Sequence, residues 1–386
     1  MKKLLIIDPA ESFGGAESYA LSICDAAIDR GWSVEAAFNA TKPLEAFRNG
    51  LSEMGAGIHH AALEMHDSNL RSIPAQVGMA RHTTALLKRA DPDVALVILP
   101  WPGYGLGMAC ALAALRIPSL IVFQLVPATK MKYRWPVRRL YRWTQKRKQA
   151  WVAVSEGNRS VLSESFGVSR SEIEVIHNGV AVPDAEGCDD FARDELRRNL
   201  LSEFNLPDDA RIVLSVGRLE KRKGILDLVK AVPSVLQDVP QARFIWAGEG
   251  NLRKEVESEI AASGLGHHLL LLGHRTDVPA LLDCCDLFLF PSHFEGFPFA
   301  LLEALAHDAP YVASDSCGST EIGASGEYGL HFKCGSKTDM ADKIVQALKA
   351  QGEGVRKAGK GRERVRDFSI DTMKASTLRA IETLCP

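Results

Sequence analysis

Pro291-Ser292-His293-Phe294-Glu295-Gly296-Phe297-Pro298-Phe299-Ala300-Leu301-Leu302-Glu303-Ala304 follows the apolar run Leu287–Phe290. Four apolar residues bounded by Pro-Ser read as a buried strand, and Phe299–Ala306 reads as an apolar helix. The loop between them therefore sits at the carboxyl end of a strand. Gly296–Phe299 opens the helix, whose first turn has backbone amides with no partner inside it, a place for an anion. Glu303 lies in the otherwise apolar stretch LLEALA, where a carboxylate needs a partner such as the vicinal hydroxyls of a ribose.

Outward from this stretch, strand and helix alternate. Ile212–Val216, Phe244–Ala247, Leu269–Leu272, Leu287–Phe290 and Tyr311–Ala313 read as strands. Ile225–Leu236, Leu252–Ala262, Val278–Cys284 and Phe299–Ala306 read as the helices between them. The first half repeats the pattern with strands at Leu4–Ile7, Ser33–Phe38, Asp93–Leu99, Leu120–Phe123, Trp151–Val154 and Glu174–Ile176, and a helix at Gly14–Arg30. Such alternation implies parallel sheets with helices on both faces. Residues 181–209 carry Pro, Gly and dense charge with no strand, and read as a linker holding one helix. Two Rossmann-like domains follow, 1–180 and 210–370, with a last helix at about 371–383.

The chain has 386 residues, more than one core commonly serves. Its net charge is −2, from 46 Lys+Arg and 48 Asp+Glu, so it is no polycation built for nucleic acid. Residues 1–180 carry 21 basic against 16 acidic residues, so the first half is mildly basic and the second acidic. None of the eight cysteines forms C-x-x-C. Leu4–Ile7 is too short for a signal-peptide core, and no apolar run approaches the ~20 residues of a membrane helix. The expectation is a cytoplasmic protein with reduced thiols. Neither G-x-G-x-x-G nor G-x-x-x-x-G-K-[ST] is present.

Two more stretches carry chemistry. Gly14-Gly15-Ala16-Glu17 follows the first strand and opens a helix, where glycines let a phosphate or sugar approach the backbone. Such a pair also serves simply as a tight turn. Gly217–Gly224, GRLEKRKG, follows the first strand of the second half. Arg218 and Lys223 there can clamp a diphosphate, the other reading being a solvated basic loop.

Glu295 and Glu303 make an E-x7-E pair after a Pro-Ser turn. With GGAE at 14–17, VSEGNR at 154–159, VIHNGV at 175–180, GRLEKRKG at 217–224, GEG at 248–250, LLEALA at 301–306 and TEI at 320–322, the chain resembles the retaining glycosyltransferases of family 4. The resemblance implies a GT-B fold: two Rossmann-like domains facing across a cleft, with the C-terminal helix, about 371–386, crossing back to the N-terminal domain. It implies nucleotide-sugar binding by 210–370 and acceptor binding by 1–180. Arg218 and Lys223 would grip the diphosphate, Glu303 the ribose, and Glu295 the donor sugar, helped by amides around Gly296, Phe297 and Phe299. Gly15 would approach the phosphate or acceptor, and Gly14 and Glu17 would help position it. The implied catalytic set is Arg218, Lys223 and Glu295, with no metal and no cofactor, the nucleotide-sugar being a substrate. UDP is the default nucleotide. One departure is Gln124, which stands where many relatives place a His near the sugar; another is Ala306-His307-Asp308-Ala309-Pro310, where relatives usually place a Gly. A sugar-nucleotide 2-epimerase and a non-catalytic nucleotide-sugar-binding scaffold are the alternatives.

Lys130–Lys148, KMKYRWPVRRLYRWTQKRK, holds nine basic residues and no acid, interleaved with Tyr133, Trp135, Tyr141 and Trp143. Basic residues favour anionic lipid, and Trp and Tyr favour the interface. The stretch predicts a membrane-docking face built on Lys130, Lys132, Arg134, Trp135, Arg138, Arg139, Arg142 and Trp143. That places the protein on the inner face of the plasma membrane, with a lipid-linked or lipopolysaccharide-type acceptor. A basic helix with inward aromatics and a polyanionic acceptor are the other readings.

Overall fold

The structure, a computed structural model, describes residues 1–63, 65–66, 68, 70–127, 131, 133–183, 190–350 and 361–385. The chain forms two compact units, Met1–Asn178 with Ile370–Pro386, and Gly179–Ser369.

Unit 1 runs β1 (Lys3–Asp8), α1 (Gly15–Asp29), β2 (Ser33–Phe38), α2 (Glu45–Glu53), β3 (Gly57–His60), α3 (Ile73–Ala90), β4 (Val94–Leu99), α4 (Leu106–Leu115), β5 (Ser119–Phe123), α5 (Trp135–Gln145), β6 (Gln149–Ala153), α6 (Glu156–Phe166) and β7 (Ile173–Val175). Its seven strands are parallel in the order β3-β2-β1-β4-β5-β6-β7. Central strands are covered on both faces, so β4 reads VALVIL and is buried throughout. Ser155 caps α6 by accepting from the Asn158 amide at 3.1 Å, and Gly167 ends it in the left-handed region.

Unit 2 runs α7 (Asp190–Glu203), β8 (Arg211–Val216), α8 (Ile225–Asp238), β9 (Ala242–Ala247), α9 (Arg253–Ala262), β10 (Leu269–Gly273), α10 (Val278–Cys284), β11 (Leu287–Phe290), α11 (Phe299–Ala306), β12 (Tyr311–Ser314), α12 (Cys317–Ile322), β13 (Leu330–Phe332), α13 (Lys337–Lys349) and α14 (Gly361–Arg366). Its six strands are parallel in the order β10-β9-β8-β11-β12-β13. Residues 190–203 of the expected linker form α7, which packs on α10 within this unit; 184–189 lie outside the described residues.

The last helix, α15 (Ile370–Leu384), returns to unit 1 as expected. It packs on α1, where the Tyr19 and Thr377 hydroxyls meet at 2.8 Å and Lys374 Nζ donates to Asp25 Oδ2 at 2.7 Å. The alternation did not predict β3 and β13. Both are short, partly exposed edge strands, so neither needs a continuous apolar run. Among the described residues no helix is long and apolar enough to cross a membrane.

Candidate active site

In unit 2 the strand order reverses between β8 and β11, and ligands of open α/β sheets bind at the carboxyl ends beside such a reversal. The two loops leaving these strands are 217–224 and 291–298. Backbone contacts lace them together: the His293 amide donates to the Arg222 carbonyl at 2.7 Å. Gly224 starts α8 at φ 77° with its Cα against the Pro291 carbonyl, so a side chain there meets both strain and backbone. Trp246 Nε1 holds the Gly217 carbonyl at 2.7 Å.

The side chains on these loops form an alternating chain of charge. Glu295 Oε1 accepts from Lys223 Nζ at 2.6 Å and from Arg222 Nη1 at 3.0 Å. Glu220 spans two guanidiniums, Oε2 on Arg222 Nε and Oε1 on Arg218 Nε, each at 3.1 Å. Side-chain exposure falls from 41% at Arg218 to 14% at Lys223 and 9% at Glu295, so one end is open and the other buried. Lys223 Nζ also lies 5.6 Å from the Phe290 ring centroid. Burial opposes the Glu295 charge, but Lys223 and Arg222 outweigh it and hold the carboxyl below its ordinary range. Burial, aided by Arg222 and Arg218, holds the Lys223 ammonium below its ordinary value although Glu295 pulls the other way.

Gly296, Phe297 and Phe299 run into α11. Phe297 is buried and packs edge-on against Phe368 at 4.9 Å, so its side chain is core and only its backbone can serve a ligand. Glu303 is half-buried on α11, and its carboxylate makes no hydrogen bond or ion pair among the described residues. Burial pushes its carboxyl up, opposed only by His307 nearby. His293 Nε2 meets Asp227 Oδ2 at 2.7 Å, and Lys337 Nζ lies 3.3 Å from Asp227 Oδ1, which ties the Glu295 loop to α8 and α13.

In unit 1, Gly14 and Gly15 open α1 with no side-chain cap. Glu17 is buried beside Asp8 of β1; burial, then the Glu17 charge, holds the Asp8 carboxyl well above its ordinary range. Gln124 is buried just after β5, where its Oε1 accepts from Asn178 Nδ2 at 3.1 Å and its own Nε2 has no acceptor among the described residues. Asn178 belongs to the VIHNGV stretch.

On α5, Arg134, Trp135, Arg139, Leu140, Arg142 and Trp143 are exposed, Trp135 at 67%, and Arg138 is half-buried. The Arg139 guanidinium lies 5.4 Å from the Trp135 ring. The two tyrosines do not join this face. Tyr141 falls on the core side of the helix and donates to the Pro102 carbonyl at 3.0 Å, and Tyr133 stacks on Phe166 at 4.9 Å. Lys130 and Lys132 lie outside the described residues.

The structure thus joins Lys223 to Glu295 and sets Arg218 apart, linked through Glu220. Sequence reasoning missed Glu220 and Arg222, as well as His293, Asp227, Asp8 and Asn178. The available signal was two acids, Glu220 and Glu295, each flanked by residues that need partners.

Both halves of the chain are similar to known proteins. Residues 13–182 match the family Glycosyltransferase Family 4, and residues 197–365 match Glycosyl transferases group 1. The N-acetylgalactosamine-N,N'-diacetylbacillosaminyl-diphospho-undecaprenol 4-alpha-N-acetylgalactosaminyltransferase of Campylobacter jejuni is 28% identical over 221 residues, 57% of this chain and 56% of that protein. The UDP-Gal:alpha-D-GlcNAc-diphosphoundecaprenol alpha-1,3-galactosyltransferase of Escherichia coli is 27% identical over 44% of this chain and 43% of that one. The chain spans about half the length of the curated relatives it matches. In fold it is similar to Anabaena Alr3699/HepE in complex with UDP and glucose, with TM-score 0.79 and 20% identity over 99% of this chain and 100% of that one. A glycosyltransferase of Rickettsia africae ESF-5 superposes with TM-score 0.78 and 18% identity over 99% and 98%. Each half of the chain thus matches one of two glycosyltransferase families, in order, and both sheets are built as the GT-B fold requires.

Proposed function

We propose that this protein is a retaining, metal-independent glycosyltransferase that moves a sugar from a nucleotide-sugar, UDP-linked by default, to a hydroxyl of a glycan acceptor. The observation that carries this reading is the cluster Arg218, Arg222 and Lys223 with Glu295 at the reversal point of unit 2, where the next helix of the same loop carries Glu303. Arg218 and Lys223 take the diphosphate, Glu303 the ribose hydroxyls, and Glu295 the sugar hydroxyls, with the backbone at Gly296, Phe297 and Phe299 beside them. As the bond from the anomeric carbon to the β-phosphate breaks, charge grows on the phosphate oxygen, and the two cations stabilise it most in the transition state. A new bond forms from that carbon to the acceptor oxygen, and the departing phosphate oxygen takes the acceptor proton. Glu295 is given no nucleophilic role. Unit 1 binds the acceptor, with Gly14, Gly15, Glu17 and Gln124 as its positioning groups. The printed names of the Campylobacter and Escherichia relatives, with their undecaprenyl-diphosphate acceptors, support a lipid-linked or surface-polysaccharide acceptor. The epimerase alternative gains no support from them.

A thermal-shift panel with UDP, GDP, ADP and TDP tests the donor site. One nucleotide at ~100 times its dissociation constant should stabilise the wild type by about 2.7 kcal/mol. Glu303→Ala should lose that gain. No shift with any nucleotide, or an equal shift in the variant, removes the assignment.

The exposed face of α5 is proposed to dock on anionic lipid, with Ile73 and Val77 of α3 as further exposed apolar groups of the same unit. Each basic residue at such a surface contributes about 1 kcal/mol, so Arg139→Gln with Arg142→Gln should weaken binding about 30-fold to vesicles of about one-third anionic lipid. Co-sedimentation measures it. Equal binding to neutral vesicles would sink the docking role.

A further inference from the structure

From the double contact on Glu295 we infer that Arg222 is a positioning residue that takes over Glu295 when Lys223 turns to the diphosphate. The inference rests on the donor-site reading of unit 2. Lys223 Nζ and Arg222 Nη1 share one oxygen, Glu295 Oε1, at 2.6 and 3.0 Å. A cation that serves both the diphosphate and this carboxylate must loosen its hold on the carboxylate as the donor binds. A buried carboxylate left alone takes a proton or moves. Arg222 prevents both. Its guanidinium is held from behind by Glu220 at 3.1 Å, so it stays aimed at Glu295 while Lys223 swings. The other oxygen of Glu220 holds Arg218, so a single carboxylate sets two guanidiniums, one toward the phosphate side and one toward Glu295. Five side chains from two loops thus alternate in sign, Arg218, Glu220, Arg222, Glu295, Lys223. The downward push on Glu295 from Lys223 and then Arg222 agrees with this division of labour.

Other polar and charged groups of this loop are Ser292, which bonds Glu295, and the His293–Asp227 pair with Lys337. They are unchanged by substitution at 222, so differences between proteins isolate Glu295. The test is calorimetry of UDP binding at about pH 6 in buffers of different ionisation enthalpy, which counts protons taken up. Arg222→Gln should take up as much as about one proton more per UDP than wild type, because Glu295 protonates when Lys223 leaves. Arg222→Lys, which keeps the charge, should match wild type. Arg222→Gln with Glu295→Gln should lose the excess. Donor turnover by Arg222→Gln should fall about tenfold or more through kcat, with UDP affinity within about threefold. Glu220→Gln, which leaves Arg222 in place but loose, should show a smaller excess of the same sign and serves if Arg222→Gln does not fold. The inference is overturned if Arg222→Gln binds UDP with no extra proton. It is equally overturned if UDP affinity falls as far as in Arg218→Ala, which would make Arg222 a phosphate ligand. A wild type that binds no UDP removes the donor reading and this inference together.

Discussion

Lys223→Ala should lower sugar transfer about 100- to 1,000-fold, the loss typical when one preorganised donor to a developing oxyanion is removed. Three features place Lys223 above Arg218 in this respect. Its side chain is 14% exposed where that of Arg218 is 41% exposed, so the same charge acts through less solvent. Its proton affinity is reduced by burial and the neighbouring guanidiniums although Glu295 supports it, so an arriving diphosphate adds negative charge where one carboxylate does not fully compensate. It is also kept at the carboxyl end of β8 by Glu295 at 2.6 Å and the Phe290 ring until the diphosphate takes the place of that carboxylate. Steady-state kinetics with the identified nucleotide-sugar separates the cases. A fall in kcat/KM carried by kcat means the charge acts on the transition state. A fall carried by KM alone means Lys223 only binds the donor, and the catalytic role is withdrawn.

The strands were legible where burial on both faces leaves the chain no freedom. Leu4–Ile7 and Leu287–Phe290 are runs that only a central parallel strand explains, and both are buried throughout. At the sheet edges the constraint lapses. On β3, His59 meets Glu35 of the neighbouring β2 at 2.7 Å and His60 lies edge-on to Phe38, and no alternation marks the segment. Glu303 was legible because LLEALA tolerates a carboxylate only for a reason. Arg222 was not. In Lys221-Arg222-Lys223 the three cations look alike, and a tight turn with three residues per turn sends each a different way. Only the partner 73 residues later tells Arg222 from Lys221, and spacing along the chain carries no trace of that pairing. The tyrosines of α5 show the same limit: a basic stretch with aromatics gives the composition of a face, while helical phase decides that Trp135 is out and Tyr141 in.

Glu295→Ala should destabilise the ligand-free protein by about 3 kcal/mol near neutral pH, because it leaves the largely covered Lys223 ammonium without its carboxylate. The sign of its pH dependence follows from the two partners. In wild type the folded-state Glu295 carboxyl lies below its unfolded value, so its contribution is full above the ordinary carboxylate range and is lost as pH falls through the folded value. Lys223 is depressed in the folded state, so the unfolded chain binds more protons between the two values and stability rises with pH there. Removing Glu295, which supports the ammonium, depresses Lys223 further and widens that window downward. The gap between wild type and variant should therefore be largest near neutral pH. It should narrow toward alkaline pH as Lys223 in the variant sheds its proton, and narrow also on the acid side as wild type loses its own carboxylate contribution. Saturating UDP should recover more of the midpoint in the variant than in wild type, since the diphosphate supplies the missing anion. Denaturant unfolding across the pH range, with and without UDP, measures all of this. Parallel curves would show that Lys223 and Glu295 are not energetically coupled, and the charge chain at the end of β8 would then be a contact without consequence.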